Sequence, residues 1–194
     1  MIESRVSAIL LASGLSRRMG GRDKLLLPYR GETLRHRAIR LLESLNFYEK
    51  IVVTTPARLK QVYLSPEIRA IINPCPEAGQ SGSLRLGVEA ATGEWYLFLM
   101  ADQPRLNAAA LAPLLELAGD NPDKIIFPSV NGAPSSPTLF PARFRENLLE
   151  LTGDTGGRAV RSAHPDACLA YEVETPESFL DVDNENDYKS LGEV

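Results

Sequence analysis

The sequence is poor in the residues on which several classes of protein depend. Its 194 residues include two cysteines and two histidines. The cysteines, Cys75 and Cys168, stand far apart with no C-x-x-C pair, a spacing that argues against a disulfide framework and against a zinc site. The histidines, His36 and His164, have no neighbours in sequence that would suggest catalysis by an imidazole.

Long apolar runs are also missing. No stretch approaches the roughly 18 consecutive apolar residues of a membrane span, and the chain does not open with the regions typical of a secretion signal. We therefore expect a cytoplasmic protein without a membrane partner. The length and a hydrophobic content of 44% predict a single domain, 1–194, with a sizeable core.

Positive charge is scarce over most of the chain and is concentrated near its start. Residues 1–40 contain nine Lys or Arg and three Asp or Glu, whereas the whole chain has a net charge of −4. A nucleic-acid groove would need basic residues over a wide face, so we expect a small anionic ligand and no nucleic acid. Arg35, Arg37 and Arg40 are interpreted as residues that merely coat a helix.

The stretch 6–31 has the pattern of a strand that runs into a phosphate-binding loop. Val6–Leu11 is a short apolar run that suits a buried strand, and small residues follow it. The loop then combines basic side chains with glycines whose backbone N–H groups are accessible, which suits a polyphosphate. Neither the dinucleotide fingerprint nor the NTPase loop G-x-x-x-x-G-K-[ST] is present. From spacing alone, a third kind of phosphate loop and a solvated basic surface loop both remain open.

Apolar runs alternate with helical patterns along the rest of the chain, which predicts an α/β fold with a mostly parallel sheet in a three-layer α/β/α arrangement. Further strands are expected at 51–54, 70–72, 95–100, 125–127, 138–140 and 169–173. Trp95–Met100 is the most continuous apolar run and is expected to be the central strand.

The helical patterns fall between these strands. Helices are expected from Leu34 with Thr33 as the cap, over 57–63, over 81–91 with Ser81 as a hydroxyl cap, from Asn107 to Ala118, over 142–151, over 157–162, and from Asn184. Pro113 lies inside the helix that begins near Asn107, so it either kinks that helix or delays its start.

Two later segments place polar residues directly after predicted strands. Gly79–Ser83 leads into a helix with amide, hydroxyl and backbone donors together, at the sheet edge where ligands bind in α/β folds. Asp102 follows the central strand, where a carboxylate can hold Mg²⁺ beside nucleotide phosphates. Ordinary helix capping by Ser81 and a simple turn at Asp102 before Pro104 are the plainer alternatives.

These segments together resemble a known family. LASGLSRRMGGRDKLLLPYRG is similar to the signature L-A-[AG]-G-x-[SA]-x-R-M-G-x(2,3)-K-x-L-[LV]-P of nucleotidyltransferases, in the branch with molybdenum cofactor cytidylyltransferase and molybdopterin-guanine dinucleotide synthase. The segment from Asn73 to Leu84 resembles N-P-x(4)-G-Q-x-x-S-[LIV], and ADQP resembles [GA]-D-[QM]-P. The resemblance covers nearly the whole chain and implies the Rossmann-like fold of the nucleotide-diphospho-sugar transferase type.

The resemblance also implies roles for individual residues. It assigns catalysis to Arg18, Lys24 and Asp102. It assigns nucleotide binding to residues of the two loops and the strand end, namely Leu11, Ala12, Ser13, Gly14, Ser16, Arg17, Arg18, Lys24, Gly79, Gln80, Ser81, Ser83 and Asp102. Mg²⁺ is the implied cofactor, held by Asp102 and Asp183, because DVDNEND resembles the family's D-[IV]-D-T-P-E-D. Asp181 is the alternative second ligand.

The acceptor side resembles the family less completely. GAPSSPTLF and GDTGGR are similar to G-x-x-x-H-P-x-L-[FI] and G-D-x-G-[AG]-R, which implies acceptor binding by Ser136, Pro137, Asp154 and Arg158. Ser136 departs from the family's histidine. From the residues alone, Asp154 and Arg158 could simply pair across a helix start.

The activity implied by the resemblance is Mg²⁺-dependent transfer of a nucleoside monophosphate from an NTP to the phosphate of a molybdopterin-type acceptor. CTP is favoured, because Ala12-Ser13-Gly14 is closer to the cytidylyl branch's A-A-G than to the guanylyl branch's A-G-G. The alternatives are guanylyl transfer to the same cofactor, a sugar- or alditol-phosphate nucleotidyltransferase, and a non-catalytic carrier of the cofactor. A molybdenum hydroxylase apo-enzyme is the further partner that this activity would have.

Overall fold

The computed structural model describes residues 2–192. Its strands are β1 (Val6–Leu11), β2 (Pro28–Tyr29), β3 (Glu32–Thr33), β4 (Glu49–Thr54), β5 (Ile68–Ile72), β6 (Trp95–Met100), β7 (Ile125–Val130), β8 (Ala133–Pro134), β9 (Thr138–Pro141) and β10 (Cys168–Glu172). Its α-helices are α1 (Leu34–Ser44), α2 (Pro56–Leu59), α3 (Gln80–Ala90), α4 (Ala108–Asp120), α5 (Arg145–Leu149), α6 (Gly157–Ala163) and α7 (Glu185–Ser190). None of the helices within 2–192 is long and apolar enough to cross a membrane.

One mixed sheet contains all the strands except β2 and β3, which pair with each other. The order across it is β10-β7-β9-β6-β1-β4-β5, and β8 pairs with β7. The pairs β1–β4, β1–β6, β4–β5 and β7–β10 are parallel, whereas β9 is antiparallel to both of its neighbours. The expected mostly parallel sheet is therefore confirmed, with β6 at its centre.

Both faces of the sheet are covered by helices, which confirms the three-layer arrangement. Alternate residues of β1 show this, since Ala8 and Leu10 belong to a core that also contains apolar residues of α1 and α4. Ile9 and Leu11 belong to the opposite core, with residues of α3, α5 and α6. A strand buried on both faces reads as a continuous apolar run, which is why β1 and β6 were recognisable in the sequence.

Several helix starts agree with the sequence. Thr33 caps α1 by accepting a hydrogen bond from the His36 N–H, and Asn107 caps α4 through the Ala110 N–H. Pro113 lies inside α4 and does not delay its start. The cap at Asn184 is a reciprocal capping box that opens α7.

Two predicted helices are wrong in extent. The helix expected over 57–63 is α2, which ends at Leu59. The N–H groups of Gln61 and Val62 bond three residues back, to the carbonyls of Arg58 and Leu59, so the chain leaves the α-helix through 3₁₀-type turns. The helix expected over 142–151 begins as a 3₁₀ turn over Ala142–Phe144 and becomes α-helical only over Arg145–Leu149.

Candidate active site

A cleft of about 410 Å³ opens where β1 and β6 end. Most of the predicted site residues line it, namely Leu11, Ser13, Gly14, Ser16, Arg17, Arg18, Lys24, Gly79, Gln80, Ser83, Asp102, Ser136, Asp154 and Asp183. Asp181, the alternative metal ligand, lines it too. Of the predicted residues, which all lie within 2–192, Ala12, Ser81, Pro137 and Arg158 do not line this cleft.

Lys24 lies between two carboxylates on the floor of the cleft. Its ammonium pairs with Asp102 Oδ2 and lies 3.2 Å from Asp183 Oδ1. Burial alone would lower the pKa of Lys24, but the charges and hydrogen bonds of Asp102 and Asp183 outweigh it and raise that pKa above its ordinary value. Lys24 is therefore cationic at neutral pH and holds together residues from three distant parts of the chain.

Asp102 keeps unused capacity to bind a cation. It is buried, and within the described residues its Oδ1 atom has no hydrogen-bond partner, although a buried carboxylate oxygen normally has one. Among residues 2–192 no group of three His, Cys, Asp or Glu side chains is placed to hold a metal. Two carboxylates are nevertheless enough for Mg²⁺, which usually completes its shell with water and substrate phosphates. Asp102 and Asp183 fit such an ion.

Asp181 adds a third acid to the rim of the same cleft. Its side chain is exposed, but the cleft walls remove part of its water and the carboxylates of Asp102 and Asp183 add negative charge. These effects raise the pKa of Asp181 to about 7. Asp181 therefore lies close to the carboxylates of Asp102 and Asp183, and the positive charge of Lys24 partly offsets their effect on its pKa.

The loop after β1 supplies the opposing positive charge. Arg18 forms an ion pair with Asp183 over 3.0 Å and is otherwise exposed to solvent. Ser16 has a φ of +52°, and its hydroxyl accepts a hydrogen bond from the Lys24 N–H over 3.1 Å. The loop therefore curls back on itself so that the basic side chains and Lys24 face one space.

Ser13 and Ser83 meet at the back of the cleft, although Ser13 lies in the loop after β1 and Ser83 lies in α3. Their hydroxyls are 2.5 Å apart, and the Asn73 side-chain amide donates to Ser83 over 3.0 Å and to Ser13 over 3.3 Å. All three residues are buried. The structure thus brings the predicted nucleotide-binding serines together as one polar group, and Asn73 orients both hydroxyls.

The segment 153–158 packs directly against the start of α3, which corrects two interpretations. Gly79, with a φ of +99°, precedes the helix, and a Cβ there would lie 2.5 Å from the Gly153 carbonyl oxygen. Ser81 is not the cap, since its hydroxyl donates to that carbonyl over 2.7 Å. Instead Asp154 Oδ1 accepts from the Gln80 N–H over 3.2 Å. Asp154 is therefore engaged by the helix rather than paired with Arg158.

A second cavity of about 420 Å³ adjoins the first and holds Arg158. The two share Leu11, Gln80, Met100, Ser136 and Asp154 in their walls.

Arg161, which was not predicted from the sequence, also lines the second cavity. Its guanidinium donates to the Ser135 carbonyl over 3.3 Å and stacks on the Phe127 ring at 4.2 Å. Burial and the positive charge of Arg158 both disfavour the charged form of Arg161 and lower its pKa. Spacing could have indicated it, because residues three apart on a helix share a face.

The arginines of α1 do more than coat a helix. That interpretation is wrong for Arg35, which is only 2% exposed, and for Arg37, which donates to the Pro104 carbonyl over 2.8 Å. It is correct for Arg40, which is exposed and pairs with Glu32.

Gln103 is a further residue that the sequence analysis missed. Its side-chain amide is buried and donates to the carbonyls of Ser136 and Phe179 over 3.1 and 3.0 Å. It therefore ties the end of β6 to the segments that carry Ser136 and Asp181. A polar residue next to the strand-end aspartate was a usable signal, since it lies at the same edge of the sheet.

The fold and the cleft define the class of protein. A mixed α/β sheet with this order and a lysine–carboxylate centre at its carboxyl edge has the architecture of an α/β nucleotidyltransferase. Residues 8–168 match the model of the MobA-like NTP transferase domain. The chain therefore belongs to the MobA-like NTP transferase family, as the resemblance implied.

Individual relatives agree with this assignment. The molybdenum cofactor guanylyltransferase of Pseudomonas aeruginosa is 33% identical over 117 residues, which are 60% of this chain and 58% of that protein. The chain thus spans less than two thirds of the length of this curated relative. A crystal structure of the Mycobacterium tuberculosis Rv0371c homologue from Mycobacterium sp. strain JC1 is 27% identical, with a TM-score of 0.82 over 97% of this chain and 96% of that one.

A third comparison bears on the fold alone. Molybdopterin-guanine dinucleotide biosynthesis protein A from Archaeoglobus fulgidus has a TM-score of 0.74 over 95% of this chain and 96% of that chain, at 14% identity. The α/β fold predicted from the sequence is confirmed by these solved structures.

Proposed function

We propose that this chain transfers a nucleoside monophosphate from an NTP to the phosphate of a molybdopterin-type acceptor and releases pyrophosphate. The observation that carries the proposal is the cleft in which Lys24 and Arg18 face Asp102 and Asp183 at the end of the central strands. A triphosphate with a bound cation needs both kinds of charge within one space. The name of the Pseudomonas aeruginosa relative supports the cofactor as acceptor.

The proposed reaction is a displacement at phosphorus. An oxygen of the acceptor phosphate forms a bond to the α-phosphorus of the NTP, and the bond from that phosphorus to the oxygen bridging the α- and β-phosphates breaks. Pyrophosphate leaves with the electron pair. An anionic phosphate is already nucleophilic at neutral pH, so positioning and charge neutralisation by Lys24 and Arg18 supply the catalysis.

A divalent cation, proposed to be Mg²⁺, fits the carboxylates of Asp102 and Asp183. Their ligand atoms are all oxygen, and the unpartnered Oδ1 of Asp102 supports the assignment. When bound, the cation would neutralise phosphate charge beside Lys24. Treatment with EDTA should abolish activity and Mg²⁺ should restore it, whereas activity that persists in EDTA would contradict this part of the proposal.

The second cavity is the proposed acceptor site. It shares a wall with the cleft, so an acceptor held there can reach the nucleotide. Arg158 and Arg161 give it positive charge, and Phe98 and Phe140 give it flat apolar walls. An acceptor with an anionic phosphate and a planar ring system matches that combination.

The base is the finer part of the proposal, and CTP is the proposed donor. Ser13 adds a side chain at the back of the cleft, where Ser83 and Asn73 already fill space. A smaller pyrimidine fits beside that side chain better than a purine. The name of the Pseudomonas aeruginosa relative favours GTP instead, so GTP is the alternative that has to be tested directly.

Pyrophosphate release measured with CTP, GTP and UTP against a panel of acceptors tests the proposal. We expect release only when a molybdopterin-type acceptor is present. Turnover with a sugar or alditol phosphate would instead identify a different nucleotidyltransferase. Cofactor binding with no pyrophosphate release from any NTP would identify a carrier.

We also propose that residues 1–194 form one domain. The sheet is continuous from β10 to β5 across residues 2–192, and each of its two cores draws on both halves of the chain.

A further inference from the structure

Arg58 lies behind the loop that follows β1, on the side away from the cleft. It belongs to α2 and is 8% exposed. Its guanidinium donates from Nη1 to the Ala12 carbonyl over 2.8 Å and from Nη2 to the Gly14 carbonyl over 2.7 Å. One side chain therefore holds the backbone on both sides of Ser13.

The same guanidinium binds the far end of the loop. Its Nε donates to Asp23 Oδ2 and its Nη2 to Asp23 Oδ1, each over 2.8 Å. Such a bidentate pair is among the strongest side-chain contacts and fixes orientation as well as distance. Lys24 follows Asp23 directly, so Arg58 sets the position of both the start of the loop and its lysine.

Arg58 is itself held in place by a second buried arginine. Arg35 of α1 donates from Nη1 to the Arg58 carbonyl over 3.3 Å and from Nη2 to the Gln61 carbonyl over 3.1 Å. The main chain at Arg58 is thereby tied to a long helix of the core. These two hydrogen bonds therefore fix the backbone that carries the Arg58 side chain.

The hydrogen bonds from Arg58 to the carbonyls of Ala12 and Gly14 determine where the N–H groups of the next residues point. Within 2–192 the only cis peptide bond is Ser136–Pro137, so the peptides 12–13 and 14–15 are trans, and a trans peptide points its N–H away from its carbonyl. The N–H groups of Ser13 and Leu15 therefore point away from Arg58. Ser13 and Leu15 line the cleft, whereas Arg58 is not among its lining residues within the described chain.

We propose that Arg58 is a positioning residue for the nucleotide's phosphates. By holding two carbonyls back, it presents the N–H groups of Ser13 and Leu15 to the triphosphate, and through Asp23 it fixes Lys24. A loop that is already ordered loses no further conformational freedom when the phosphates bind. Its order therefore raises the affinity for the nucleotide and improves the alignment of the phosphates. This inference rests on the proposed function, because it assigns the loop a phosphate ligand.

Arg58→Lys tests the proposal, because lysine keeps the charge but cannot bind Asp23 and two carbonyls at once. The probes are inorganic pyrophosphate and the nucleosides cytidine and guanosine, each with its affinity measured by calorimetry in the presence of Mg²⁺. We expect pyrophosphate affinity to fall about tenfold or more, as the loss of a charge-assisted contact would give. Nucleoside affinity should fall much less, because a nucleoside has no phosphate to meet the loop and meets it only at the Ser13 side chain.

Arg145→Lys is the matched control. Arg145 also donates to backbone carbonyls, those of Val88 and Ala91, and it lines neither cavity of the described site. This variant should bind pyrophosphate and nucleosides like the wild type. Steady-state kinetics should show a raised KM for NTP and a lowered kcat in Arg58→Lys but not in Arg145→Lys.

The outcomes separate this inference from the proposed function. Unchanged pyrophosphate affinity in Arg58→Lys, or an equal loss for pyrophosphate and nucleosides, overturns the positioning role. If Arg58→Lys does not fold, Asp23→Asn takes its place with the same criteria, since it removes the charge that pairs with Arg58 and keeps the carbonyl contacts. A wild type that binds neither NTP nor pyrophosphate would overturn the proposed function instead.

Discussion

Polar groups at the two ends of the central strands β1 and β6 differ in whether all their hydrogen-bonding atoms have partners. At the start of β1, the Ser7 hydroxyl pairs with Glu49 and accepts from the Gly93 N–H over 2.9 Å. Glu49 also accepts two hydrogen bonds from Thr92, so each of its oxygens has a partner. At the other end of the sheet, Asp102 has a buried oxygen without a partner among the described residues. Polar groups that use up each other's capacity stabilise the fold, and groups with capacity left over are available to a ligand.

We expect the largest loss of activity when Asp102, the residue with the unpartnered buried oxygen, is replaced. We expect Asp102→Ala to lower kcat by about a thousandfold or more, because it removes a proposed ligand of the cation and a partner of Lys24. The melting temperature should change little, because the residue belongs to the cleft rather than to either core. Near wild-type turnover in Mg²⁺ would remove Asp102 from the site.

Lys24→Ala should have the next largest effect. Charge on the triphosphate grows in the transition state, so loss of the ammonium should lower kcat and raise the KM for NTP, with kcat/KM falling about a hundredfold. Lys24→Arg is a useful companion, since it keeps the charge but changes its geometry. An unchanged kcat/KM in Lys24→Ala would show that Lys24 serves only to pair with the carboxylates.

The predictable parts of the site were those set by local pattern. Strand β1, the loop after it and the position of Asp102 could be predicted because a buried strand reads as an apolar run and ligands meet the strand ends. The family signature then indicated Lys24 and Arg18. The structure brings both beside the carboxylates.

The parts that could not be predicted depend on contacts between distant segments. Arg58 reaches Ala12 across 46 residues and Asp154 reaches Gln80 across 74, and no local pattern encodes either contact. Arg35 was misread because a basic residue in an amphipathic helix usually faces water. Its burial becomes evident only when the carbonyls at the end of α2 lie beside it.

Base selectivity should respond more modestly, at Ser13. Its hydroxyl is buried against Ser83 and Asn73, so Ser13→Gly removes one member of that polar group and makes room at the back of the cleft. We expect the ratio of kcat/KM for CTP to that for GTP to fall several-fold, up to about tenfold, as a change of ~1.4 kcal/mol would give. Dependence on Mg²⁺ should not change.

The wild-type ratio decides the nucleotide independently of that variant. A wild type that uses GTP at least about tenfold better than CTP would overturn the proposal of CTP as donor. It would leave the nucleotidyl transfer itself in place and agree with the name of the Pseudomonas aeruginosa relative.

Glu49→Gln should have the smallest effect on activity, because it changes only the opposite end of the sheet. Burial alone would raise the pKa of Glu49, but hydrogen bonds from Ser7 and Thr92 outweigh it and lower the pKa below its ordinary value of 4.5. A lowered folded-state pKa means that the charged form stabilises the fold above pH 4.5, and that this contribution disappears as the pH falls through the lowered value. We expect Glu49→Gln to lose about 1 kcal/mol of unfolding free energy at pH 7 and to approach the wild type at lower pH, with kcat/KM unchanged throughout. Urea titrations at pH 7 and pH 3 together with steady-state kinetics measure both quantities, and a loss of activity without a loss of stability would show that the two ends of the sheet do not divide their roles in this way.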